Sequence, residues 1–143
     1  MPLAVVSGEF GVVAEPDFRI SEKGNSWVKI RCVAKDRVRD SMGNWSDGDP
    51  CFVDVIVSGK SAEHLTESVC KGDSITVTGR LKQREYEVDG QKRSTLYIDA
   101  DTVGVSLRWG VAPTQRMIES QGKAAVDIAE TLGATDITES APF

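Results

Sequence analysis

Apolar and polar positions alternate most clearly from Ser74 to Glu87, where Ile75, Val77 and Leu81 interleave with Thr76, Thr78, Arg80, Lys82, Arg84 and Tyr86. A period of two marks a strand with one buried face, so the run predicts apolar groups on one side and a row of cations ending in a phenol on the other. Asp89-Gly90 tolerates the positive φ of a tight turn. The chain should reverse there and return through Gln91 to Val105, carrying Lys92 and Arg93 just past the turn.

The same alternation runs from Trp27 to Lys35. Val28, Ile30, Cys32 and Ala34 share one face, and Trp27, Lys29, Arg31, Val33 and Lys35 share the other. Cys51 to Ser58 predicts another strand, with Val53, Val55 and Val57 inward and Phe52, Asp54, Ile56 and Ser58 outward. Leu3 to Val13 is β-branched but broken by Gly8 and Gly11, which predicts a strand that bends or bulges, and Phe18 to Ile20 adds a short extended piece. Asp36 to Pro50 is rich in Asp, Ser, Gly and Asn and predicts a long loop or flexible hairpin tip that carries Arg37, Arg39 and Trp45. Ser61 predicts the cap of a short helix with Ala62, Leu65 and Val69 on one face, ended by Gly72 after Lys71.

Five strand regions with one helix between the third and fourth describe an all-β OB-fold, a five-stranded Greek-key barrel whose face and loops bind oligonucleotides or oligosaccharides. Short strands of this kind can also form a sandwich. The barrel should occupy residues 1–110, and 111–143 should form an acidic C-terminal tail, disordered or partly helical over Pro113 to Leu132. At 143 residues the chain is long enough to bury a core without disulfides or metal. Cys32, Cys51 and Cys70 lack metal-type spacing and read as small buried hydrophobes in a reducing compartment. Neither a signal peptide nor a run of about 20 apolar residues is visible, which predicts a soluble, cytoplasmic protein with no membrane role.

Net charge is −5, yet the charges are not evenly spread. Residues 23–39 hold six cations against one acid, and residues 111–143 hold two against five. A basic row interleaved with aromatics suits a flexible polyanion with stackable bases. The contact candidates are Trp27, Lys29, Arg31, Lys35, Arg37, Arg39, Trp45, Phe52, Arg80, Lys82, Arg84, Tyr86, Lys92 and Arg93, while Tyr97 reads as a solvated or interface residue. Catalysis is disfavoured, because the single histidine, His64, has no activated nucleophile near it in the pattern and no phosphate-binding loop motif occurs. Asp99 and Asp101 at strand spacing are the one hint of a metal-dependent nuclease. An RNA- or oligosaccharide-binding barrel is the stronger alternative.

Several segments carry a resemblance in their joint order: Gly8-Glu9-Phe10, Glu15-Pro16-Asp17-Phe18-Arg19, Cys32-Val33-Ala34, Gly59-Lys60-Ser61-Ala62-Glu63, Lys71-Gly72-Asp73 and Thr78-Gly79-Arg80-Leu81-Lys82-Gln83-Arg84. Together they resemble bacterial single-stranded DNA-binding proteins over residues 3–109, and Asp99 to Trp109 looks most like the actinobacterial branch or a phage relative. The resemblance implies sequence-independent binding and protection of single strands in DNA replication, recombination and repair, by a homotetramer that needs no cofactor and no metal. It implies bases stacked on Trp45, Phe52 and Tyr86, although a family aromatic would fall at Val38 in place of Trp45, and the one that would fall at Ser58 is absent. It also implies a nucleoid-associated place in the cytoplasm, that of the host if phage-encoded, and recruitment of replication and repair proteins through the terminal Pro142-Phe143.

Overall fold

In a computed structural model describing residues 1–122, each long alternating run becomes a strand. The elements are β1 (Val5–Val12), β2 (Asp17–Ile20), β3 (Ser26–Arg39), β4 (Trp45–Ser58), α1 (Lys60–Ser68), β5 (Ser74–Val88) and β6 (Gln91–Val105). They form one sheet in the order β1-β5-β6-β4-β3-β2, closed by a further β1–β3 pairing. This is the OB-fold barrel: five long strands, with the helix between the third and fourth of them, and the short β2 added at the β3 edge.

Closure depends on β1 serving two partners. Val5 to Gly11 pairs with Arg80 to Ser74 of β5, and Gly11 and Val12 pair with Val33 and Cys32 of β3. The glycine-broken run therefore passes from one neighbour to the other at Gly11. Inside, the predicted inward faces meet: Val28, Ile30, Cys32, Val55 and Ile75 are fully buried. Ala62, Leu65 and Val69 of the α1 segment join the same core.

One expectation is narrowed and two are corrected. Asp36 to Pro50 takes the hairpin alternative and not the long loop, and most of it is strand: β3 and β4 continue to a turn at Asp40–Asn44, held by backbone bonds of 2.9 Å from Asp40 N–H to the Asn44 carbonyl and 3.1 Å from Gly43 N–H to the Asp40 carbonyl. Polar residues on both sides hide a strand that has no buried face. The helix starts after Gly59, with φ of 77°, instead of at Ser61, and ends at Val69 before Gly72 is reached. Gly72 instead takes φ of 98° in the turn before β5. Of the cysteines only Cys32 is buried; Cys51 and Cys70 are exposed, the first midway along β4 and outside the core, the second just past the helix. Burial pushes the Cys32 thiol pKa up to about 11.

The β5–β6 ladder carries one irregularity. Thr78 faces Thr102 but Gly79 faces Ala100, so Asp101 is an extra residue on β6. At that bulge the two backbones approach so closely that a Cβ on Gly79 would collide with the Asp99 carbonyl oxygen and lie 2.8 Å from Cα of Ala100. Only a residue without a side chain fits.

Past β6 the chain is strapped to β1. Glu9 accepts hydrogen bonds from Arg108 Nε and Trp109 Nε1, both at 3.1 Å. These bonds, the indole one foremost, hold the Glu9 carboxyl below its ordinary value of 4.5. From Gly110 onward the chain forms a second unit. Residues 115–122 are helical, with Thr114 accepting at its side-chain oxygen from Met117 N–H at 3.2 Å. The remainder of the expected Pro113–Leu132 helix lies outside the described residues, as do Pro142 and Phe143. Among the described residues no helix is long and apolar enough to cross a membrane.

Two outcomes follow from these contacts. Gly79→Ala must push β5 from β6 and should destabilise the barrel by about 1–3 kcal/mol, read as a lower denaturation midpoint; an unchanged midpoint would mean the ladder yields freely. Because the folded Glu9 pKa is depressed, the strap's contribution is present above the ordinary value and fades as pH falls through the depressed one. Tryptophan emission should therefore show a transition below pH 4.5 that Glu9→Gln removes, and its survival in that variant would assign it to another group.

Candidate nucleic-acid interface

Alternation and register together bring the outward residues of four adjacent strands onto one face. In the β3–β4 ladder Trp27 lies opposite Ser58, Lys29 opposite Ile56, Arg31 opposite Asp54 and Val33 opposite Phe52. In the parallel β4–β6 ladder Asp54 meets Tyr97 and Ile56 meets Asp99. In the β5–β6 ladder Tyr97 and Asp99 in turn meet Lys82 and Arg80, followed by Arg84 opposite Thr95 and Tyr86 opposite Arg93. Residues from β3 to β5 thus share one continuous surface.

From that surface two hairpin arms extend. The β3–β4 arm carries Arg37 opposite Asp47 and Arg39 opposite Trp45. The Arg39 guanidinium lies 5.8 Å from the centre of the Trp45 ring, and that of Arg31 lies 5.4 Å from the centre of the Phe52 ring. Such cation–π contacts contribute about 0.5–1 kcal/mol at exposed sites, enough to bias a side chain without locking it. Trp45 is 58% exposed, Phe52 50% and Tyr86 40%, so each ring keeps a free side. The β5–β6 arm places Tyr86 and Arg93 together, while Lys92, opposite Glu87, takes the arm's other face. Val38, opposite Ser46, likewise faces away from Trp45 and Arg39.

At the other end of the face Trp27 is half-buried. It lines an open cleft with Ile56, Ser58, Lys60 and Arg84, which brings a β5 cation beside a β3 indole. Ser58 is small, so the space an aromatic would fill there stays open next to Trp27.

Not every cation on the face is free. Arg31 Nη1 donates to Asp54 Oδ1 at 3.2 Å, Lys82 Nζ to Asp99 Oδ2 at 2.7 Å, and Arg37 Nη1 to Asp47 Oδ1 at 3.1 Å. Lys35 lies 4.0 Å from Asp47. The hydrogen bond from Lys82 to Asp99 raises the lysine's pKa. Among the described residues Lys29, Arg39, Arg80, Arg84, Lys92 and Arg93 have no carboxylate within ion-pair distance. A mixed surface of free cations, paired cations and half-exposed rings can neutralise phosphates and accept flat bases.

Comparison with known proteins agrees with this geometry. The profile described as "Single-strand binding protein family" matches residues 6–106. The chain belongs to that family. It is 40% identical over 107 residues to the single-stranded DNA-binding protein of Corynebacterium glutamicum, covering 73% of this chain and 48% of the relative. It is 33% identical over 113 residues to that of Mycobacterium leprae, covering 78% and 67%. The chain thus spans about half the length of the first relative and two thirds of the second. The crystal structure of the small single-stranded DNA-binding protein from Streptomyces coelicolor matches with a TM-score of 0.67 at 30% identity, covering 77% of this chain and all of that one. The resemblance to the actinobacterial branch agrees with these relatives.

Tyr97, expected as a solvated or interface residue, lies in the middle of the face. Its register position between Asp54 and Lys82, in mid-face, is visible only once the β4–β6 ladder is known. Asp99 and Asp101 do not form a pair: Asp99 is bound to Lys82, whereas Asp101 lines a separate cleft with His64 and Ser61. Among the described residues no three His, Cys, Asp or Glu side chains gather as a metal site.

Proposed function

We propose that this chain binds single-stranded DNA without sequence preference, through phosphate neutralisation and base stacking, and protects it during replication, recombination and repair. The observation that carries the reading is the single face on which half-exposed rings and cations alternate. Trp45, Phe52 and Tyr86, with Trp27 at the far end, offer stacking surfaces. Lys29, Arg31, Lys35, Arg37, Arg39, Arg80, Lys82, Arg84 and Arg93 supply charge along the way, and Lys92 adds charge from the back of its arm. Bases present similar π-faces, so such a surface discriminates weakly among sequences, and duplex DNA hides those faces. The chemistry is coating rather than catalysis.

The assembly is a homotetramer in this reading. Support comes from β1, whose residues Val5 to Phe10 pair with β5 alone, and from the exposure of Val5 and of Leu3 just before the strand; an unpaired strand edge invites a second copy. The working place is the cytoplasm, and Pro142-Phe143 recruits replication and repair proteins.

Tryptophan emission, titrated with an oligothymidine of several tens of nucleotides, should be quenched strongly by the single strand and weakly by duplex. Phe52→Ala should weaken binding by about 1–3 kcal/mol, the worth of one stacked base, with the denaturation midpoint unchanged because Phe52 lies outside the core. Silence toward the oligothymidine, with a response to RNA or oligosaccharide, would overturn the assignment. Light scattering that returns a monomer mass would overturn the tetramer.

A further inference from the structure

The centre of the face is built from opposed charges. Arg31, Asp54, Tyr97 and Lys82 occupy one register line across β3, β4, β6 and β5, and Asp99, two residues beyond Tyr97 on its own strand, closes on Lys82 at 2.7 Å. Asp54 is the more enclosed carboxylate, its side chain 19% exposed against 46% for its partner Arg31. Two anions thus stand in the middle of a surface that otherwise suits a polyanion. Neither is needed to fill space in the core, and neither lies at a turn.

We propose that Asp54 and Asp99 are built-in counter-ions, which occupy Arg31 and Lys82 in the free protein and which the phosphates of a bound strand must displace. The two cations respond differently. Lys82 carries a point charge on a flexible stem and can swing from Asp99 to a phosphate. Arg31 lies over Phe52 and can exchange an acceptor oxygen while its plane keeps the ring contact. Displacement makes each of these phosphate contacts weaker and more readily reversed than a contact to a free cation such as Arg80. The surface would hold a strand while letting it shift.

This inference rests on the proposed binding of single strands, and its test separates the two. Oligothymidine affinity is measured across a salt series for the wild-type chain, Asp54→Asn, Asp99→Asn and Glu67→Gln. The last removes an equal charge from the exposed side of α1. Each interface variant should bind about two- to five-fold more tightly, the range that an exposed ion pair is worth. The slope of log affinity against log salt should stay at the wild-type value, because the same cations neutralise the same phosphates once the aspartates are displaced; a slope steeper by about 0.7 would mean that the ion pairs persist in the wild-type complex, and would overturn displacement. Glu67→Gln should leave the affinity unchanged. Denaturation midpoints confirm that all variants fold, and the two aspartates test the idea independently. A wild-type chain that ignores oligothymidine overturns the binding reading itself. Wild-type binding with unchanged variants overturns the counter-ion role alone, and weaker binding by Asp54→Asn overturns it too, by making Asp54 a support for Arg31 over Phe52.

Discussion

Three parallel residue pairs hold the two halves of this surface together. Asp54–Tyr97, Val55–Ile98 and Ile56–Asp99 form the register between β4 and β6, and without them the β3–β4 and β5–β6 hairpins would be joined through β1 alone. The middle pair anchors the seam, since Val55 is fully buried and Ile98 nearly so. Alternation then sends the flanking pairs outward. The same few residues that weld the barrel therefore supply the centre of its face, and beyond them the hairpins diverge into arms.

Charge distribution follows from that geometry. A net charge of −5 opposes association with a polyanion at long range, but screening limits that opposition to about 10 Å at 0.1 M salt. Within that distance the outward residues of β3 and β5 dominate. Their cations are partly answered by Asp47, Asp54 and Asp99, so the local field is tempered where the seam lies and strongest at its flanks. Family membership and the match to the Streptomyces coelicolor structure agree with a fold that presents such a face.

Legibility in the sequence tracked the presence of a buried side. The phases of β3 and β5 and the Asp89-Gly90 turn could be read directly, because a core on one face forces strict alternation; Asp89 does take φ of 52°. The Asp36–Pro50 stretch left loop and hairpin tip open, since both faces of its arm meet solvent and no alternation is imposed. Helix ends were misplaced because Gly59 caps by backbone conformation rather than by a side chain. The cross-strand ion pairs and the position of Tyr97 depend on which strands neighbour one another. That information lies in the parallel seam, which no local pattern encodes.

The two arms have one further property. From Gln83 to Ser94 every residue is exposed, and the outer part of the β3–β4 arm is nearly as open, so neither arm owns an inside. Their backbone ladders are sustained by the barrel from which they grow, since a lone two-stranded ribbon is marginal in water. Substitutions there leave the hydrophobic core untouched. Selection could therefore rewrite the rings and charges on the arms, altering grip and preference, while the stability of the molecule stays nearly constant. Adaptability and foldedness reside in different parts of one continuous sheet.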